Sequence, residues 1–145
     1  MNSANARALF ATARLARLAS ASADGRPHLV PVCFALEHDT LYSAVDHKPK
    51  RSATRLRRLD NIAANPSVTV VADHYEEDWS ALWWARADGS AKIVAAGEPE
   101  HARAVTLLAE RYEQYRARAP GGPAIVVAVE RWSGWRASED SDMRL

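Results

Sequence analysis

The sequence predicts a mainly β, α+β domain: a compact β-barrel of six to seven mostly antiparallel strands with about three helices. Three observations carry that expectation. Apolar, β-branched runs recur as short segments, among them Val68, Val70 and Val71 with Thr69, and the stretch 124–129, which is strand-forming composition. Asp24-Gly25 and Asp88-Gly89 each stand between two such segments, and Asp-Gly is a strong hairpin signal. Helical periodicity is confined to three stretches, so hairpin-joined antiparallel strands closing into a barrel suit the pattern better than a parallel α/β sheet.

Taken in order, residues 4–13 (ANARALFATA) read as a first helix with Leu9 and Phe10 inward, on helix propensity. The chain then enters RLARLASAS, turns at Asp24-Gly25 and returns as a strand over 27–36. That strand contains Pro31, which cannot donate to a ladder and so marks an edge or a bulge. A third strand over 41–45 delivers the chain to a basic stretch and a short helix, which Asn65-Pro66 ends. After the valine-rich strand, 74–80 (HYEEDWS) reads as a polar, aromatic loop, and 82–87 and 91–96 as a second hairpin. The longest helix is expected over 98–118, with Val105, Leu108, Tyr112 and Tyr115 on one face. A last strand over 124–129 precedes ERWSGWRA and a polar tail.

At 145 residues with no visible linker or repeat, residues 1–145 are expected to form a single domain. One cysteine, Cys33, leaves neither a disulfide framework nor a cysteine-based zinc site within one chain. No apolar run is long enough to span a membrane and the N-terminus lacks a signal-peptide core, so a cytoplasmic protein is expected.

The functional signal sits in 41–73. Between His47 and Leu59 the chain carries Lys48, Lys50, Arg51, Arg55, Arg57 and Arg58 and no acid, against an overall formal charge of +1. Such a local excess marks either a focused anion site or a solvated basic helix face. A helical period after Pro49 puts Leu56, Leu59, Ile62 and Ala63 inward, Arg51 and Arg55 along the edge, and Arg57 in solvent. Ser52 or Thr54 is the expected N-cap, leaving Lys48, Lys50 and Arg51 where free N–H groups and the helix dipole also favour a phosphate. Asp46, Asp60 and the low net charge speak against an extended nucleic-acid track.

No nucleophile elbow, P-loop, zinc-protease or dinucleotide fingerprint is present. The histidines lack ligand spacing, and Glu76, Glu77 and Asp78 read as a solvated loop, so neither a metal site nor catalytic side chains are expected. A focused anion site beside plentiful tryptophan suits a protein whose flat, anionic cofactor does the chemistry.

The succession ARLASASADGRPHLVPVCF, LYSAVDHKPK and LRRLDNIAANPSVTVVADHYEEDWSALWWARADGSAKIV resembles the FMN-binding split barrels of the pyridoxamine 5′-phosphate oxidase-like class, and within it the actinobacterial branch that uses coenzyme F420. The resemblance covers 14–94 and the terminal RWSGWRA. It implies that Lys48, Lys50, Arg51 and Arg55 hold the cofactor phosphate, the same four chosen by charge. It further implies that the ring lies near Pro31, Val32, Cys33, Tyr42, Ser43 and Ala44. The class forms homodimers with the site at the subunit junction, which makes Trp79, Trp84 or Trp135 candidates for a partner's pocket; each equally suits ordinary core or interface packing. The implied activity is F420-dependent hydride transfer to a small organic acceptor, with an FMN-dependent oxidoreductase or a non-catalytic F420- or flavin-binding protein as alternatives. Pyridoxamine phosphate oxidation itself is not expected, because the substrate-binding residues of that enzyme find no match.

Overall fold

The computed structural model describes residues 1–46 and 56–139. The elements run α1 (Ser3–Thr12), β1 (Ala16–Ala21), β2 (Pro27–Val32), β3 (Ala35–Glu37), β4 (Thr40–Ala44), α2 (Arg57–Ala64), β5 (Ser67–His74), β6 (Trp83–Val94), α3 (Pro99–Arg111), α4 (Glu113–Ala117) and β7 (Ala124–Arg136). Short 3₁₀ turns occupy Trp79–Ala81 and Ala137–Glu139. Among the described residues seven strands form one antiparallel sheet in the order β2-β1-β5-β6-β7-β4-β3. Its two edge strands, β2 and β3, are consecutive in the chain, with Cys33 and Phe34 between them. Three peptide steps reach at most about 11 Å, so the sheet must curl until its edges meet. The result is a barrel split at the Cys33–Phe34 joint.

The barrel interior follows from strand alternation: Leu18, Val32, Leu41, Val68, Val70, Ala72, Ala85, Ala87, Ile125 and Val127 all point into one buried cluster. One end is plugged by α1, whose Phe10 meets Phe34 and Trp132 edge to face at 4.9 and 5.3 Å. Such pairs add about 0.5–1.5 kcal/mol beyond their buried area. On the outside, α3 packs over β3, β4 and β7 and buries Tyr42, Val94, Ala124 and Val126 against Ala104.

The Asp24-Gly25 hairpin forms as expected, with Gly25 at φ +87°. Pro31 lies on an edge strand, where its missing donor costs no ladder bond. Other expectations give way. Residues 27–36 do not form one strand, because the chain leaves one sheet edge at Val32 and joins the other at Ala35. Asp88-Gly89 is not a turn: β6 runs straight through it, with a register shift against β7 at that step. Glycine is required there because a Cβ would sit 2.2 Å from the Ala128 carbonyl oxygen. The last strand continues past Val129 to Arg136. The 98–118 helix breaks at Tyr112, whose backbone is extended. Helix α2 starts at Arg57 behind Leu56, which makes no side-chain cap bond; Ser52 and Thr54 lie outside the described residues. Its buried face holds Asn61 with Ile62, and Ala63 is exposed. Asn61 is tolerated inside because its Nδ2 donates to Ser20 Oγ at 3.1 Å. No helix among the described residues is long and apolar enough to cross a membrane.

Candidate functional site

The split in the barrel leaves Phe34 outside both flanking ladders, so its backbone groups need other partners. Tyr112 supplies them from the α3–α4 break. Its hydroxyl accepts from the Phe34 N–H at 3.1 Å and lies 3.1 Å from the Phe34 carbonyl and 3.0 Å from that of Arg14, either of which can take its proton. Arg111 Nε donates to the same oxygen at 3.2 Å, while its Nη1 and Nη2 donate to the Ala11 and Ala13 carbonyls at the end of α1. Across the joint, Ser43 Oγ donates to the Cys33 carbonyl at 2.8 Å. Both residues of the joint are therefore held by side chains.

Beside the joint stand Cys33, Asp46, Tyr115 and the half-buried Arg58. Burial raises the Cys33 thiol pKa, and the Asp46 carboxylate raises it further. The thiol is thus kept protonated, a poor nucleophile. Burial likewise raises the Tyr115 phenol, assisted by its hydrogen bond to Asp46. Burial pulls the Arg58 guanidinium below its ordinary value, with Asp46 opposing.

The outer face of the sheet presents a second feature. Register aligns Pro31 with Arg17, Arg17 with Val71, Val71 with Arg86 and Arg86 with Ser133. At a strand spacing of about 4.8 Å, that row carries Pro31 to within about 14 Å of Arg86. The neighbouring row is Asp73, Trp84 and Trp135. Over these rows lie two hollows of about 590 and 500 Å³, which share Asp73, His74 and Trp83. Tyr75, Trp84 and Arg86 close one, and Arg14, Leu15 and Arg17 the other. Arg86 lies over the Trp84 ring at 5.2 Å, and His74 stacks on Trp83 with ring centroids 6.5 Å apart.

A seven-stranded barrel split in this way is matched along nearly its whole length by one family model, pyridoxamine 5′-phosphate oxidase, over residues 3–136. The chain belongs to the pyridoxamine 5′-phosphate oxidase family. Solved structures agree on the fold. A conserved hypothetical protein of Mycobacterium tuberculosis superposes with a TM-score of 0.72 at 19% identity, covering 100% of this chain and 91% of its own. A FAD-binding protein of Mesorhizobium loti gives 0.69 at 20%, covering 92% of each chain. A haem storage protein of Vibrio cholerae gives 0.68 at 17%, covering 94% of this chain and 95% of its own. Comparison with curated proteins gives no match.

In this member of the pyridoxamine 5′-phosphate oxidase family the expected site residues separate into groups. Lys48, Lys50, Arg51 and Arg55 lie outside the described residues. Pro31 is exposed on the outer face, Cys33 and Ala44 are half-buried, and Ser43 is buried at the joint. Val32 points into the barrel core and Tyr42 packs beneath α3, so neither shares the outward row of Pro31. Trp84 lines a hollow, Trp135 is buried with Leu82 and Ala137, and Trp79 is exposed on its 3₁₀ turn. Sequence reasoning missed Arg17, Val71, Arg86 and Tyr75 on the outer face, and Asp46, Arg58 and Tyr115 at the joint. Charges at alternate positions of apolar strands were the available signal that Arg17 and Arg86 point outward, but only register sets them on one row, on either side of Val71.

Proposed function

We propose that the protein is an oxidoreductase built around a flavin-type cofactor, coenzyme F420 in our reading, that passes hydride to a small organic acceptor. It works as a homodimer with the site at the subunit junction. The observation that carries this reading is the outward row from Pro31 to Arg86, which leads from the strand break assigned to the ring directly into the aromatic hollows. A deazaflavin, when bound, supplies a hydride-carrying carbon and disfavours one-electron chemistry.

The chain's own part is to bind and orient. Lys48, Lys50, Arg51 and Arg55 take the phosphate by charge-assisted hydrogen bonds. Pro31, Cys33 and Ala44 offer the ring a wall that Ser43 and Tyr112 hold in place from behind. Cys33 packs there as a protonated thiol without a redox role, in keeping with the direction of its pKa shift. The FAD-binding relative supports a flavin-type cofactor, and the choice of F420 rests on the motif resemblance. Titration of the purified protein with F420 and with FMN, followed by tryptophan quenching, tests the reading. We expect tighter binding of F420 and slow oxidation of the reduced cofactor in air. Preference for FMN with rapid oxygen consumption would replace F420 with FMN. Tight binding without turnover across a broad acceptor panel would make the protein a cofactor binder.

A further inference from the structure

We propose that the groove over β5 and β6 is the acceptor's subsite and that it selects a planar acceptor bearing an anionic group, such as an aromatic or conjugated carboxylate. The acceptor role rests on the cofactor reading above; the anion selectivity does not. The two hollows share Asp73, His74 and Trp83 as walls, and each is of the size that small-molecule sites occupy. Their walls are flat: Trp83 with His74 stacked on it, Trp84 and Tyr75. Two arginines, Arg17 and Arg86, line them, each held only loosely by a carboxylate, Asp73 and Asp88 respectively.

Those cations have capacity to spare. Arg17 reaches Asp73 only at 3.5 Å with its side chain 44% exposed. Arg86 Nε is buried without a hydrogen-bond partner among the described residues, the nearest carboxylate oxygen being that of Asp88 at 3.4 Å. Buried donors ordinarily find an acceptor, and a carboxylate offers two oxygens to a guanidinium fork. A planar body stacks on the tryptophans at the same time. At the rim Glu76 is paired with His74 at 2.5 Å and so does not face the two guanidiniums.

Calorimetric titration of the full-length protein with 2-naphthoate and with uncharged 2-naphthamide tests the selectivity. The carboxylate should bind about tenfold more tightly, and Arg86→Gln or Arg17→Gln should each remove about tenfold of its affinity while leaving the amide unchanged. Equal binding of the two compounds, or naphthoate affinity unaltered in both variants, overturns the proposal. Arg17 is exposed enough that its variant remains informative should Arg86→Gln fail to fold. The acceptor role has its own readout. Naphthoate added to protein saturated with F420 or FMN should shift the absorption band of the bound cofactor, and an unshifted band with naphthoate bound removes that role. Protein that discriminates the two naphthalenes but binds neither cofactor overturns the acceptor role and the proposed function together, and leaves the groove an anion site.

Discussion

Replacing Tyr112 with phenylalanine would strip the barrel joint of the hydroxyl that serves the Phe34 amide and two carbonyls. An amide left buried without a partner costs about 1–3 kcal/mol. Denaturant melts of Tyr112→Phe should show a loss of that order, and the Phe34 amide should exchange faster with solvent than in the wild type. Tyr115 one turn later does different work. Its phenol pKa is raised above the ordinary value of 10.0 by burial and by Asp46, so above pH 10 the unfolded chain ionises while the folded chain still holds its proton. The unfolded state then binds fewer protons, and stability falls as pH rises through that window. Melts between pH 8 and 11 should therefore drop less steeply in Tyr115→Phe than in the wild type; parallel curves would show that the phenol is not held this way. For the proposed phosphate site, Lys50→Ala and Arg55→Ala should each weaken cofactor binding by about 1.5–3 kcal/mol. Arg57 is exposed on α2, and Arg57→Ala should change binding little in the same titration.

Single elements show where sequence signals stop. The Asp24-Gly25 and Asp88-Gly89 pairs are alike in composition, yet one closes a hairpin and the other lies mid-strand at a bulge. What separates them is the Ala128 carbonyl beside Gly89, a contact between residues far apart in the chain. Gly89→Ala should accordingly destabilise by about 1–3 kcal/mol or more, as overpacking does. Gly25→Ala meets no atom within 4 Å and should instead suffer from its left-handed φ alone. Thermal melts of the two variants side by side would separate crowding from backbone strain. The same limit explains α2: its apolar period named Ile62 correctly, but the buried neighbour is Asn61, made acceptable by Ser20 on β1. Periodicity likewise put Tyr112 and Tyr115 on an inward face. It had no means of showing that Tyr112 breaks the helix to reach the joint.

At the scale of the whole molecule, the barrel was legible because turns, β-branched runs and the edge proline all report local backbone preference. The site was legible only in part. The basic cluster proposed to hold the phosphate is contiguous in sequence, whereas the row from Pro31 to Arg86 exists only through the pairing of four strands. That row also bears on assembly. It ends at edge strand β2, where Leu29 is 64% exposed, and a large apolar side chain exposed there suits a two-fold partner. Sedimentation at micromolar concentration should give a dimer, and a monomer would remove the shared site from the proposal. Whether Trp84 serves the ring of its own chain or that of its partner can be decided by mixing variants. In the proposed site Lys50→Ala damages the phosphate side and Trp84→Ala the wall that Trp84 offers the ring, so each homodimer should bind cofactor poorly. Random co-assembly makes half the dimers mixed, and if the two sides come from different subunits, one site in each mixed dimer is intact. About a quarter of all sites should then regain wild-type affinity. Should both sides come from one subunit, mixing restores none, and the groove belongs to the same chain's cofactor.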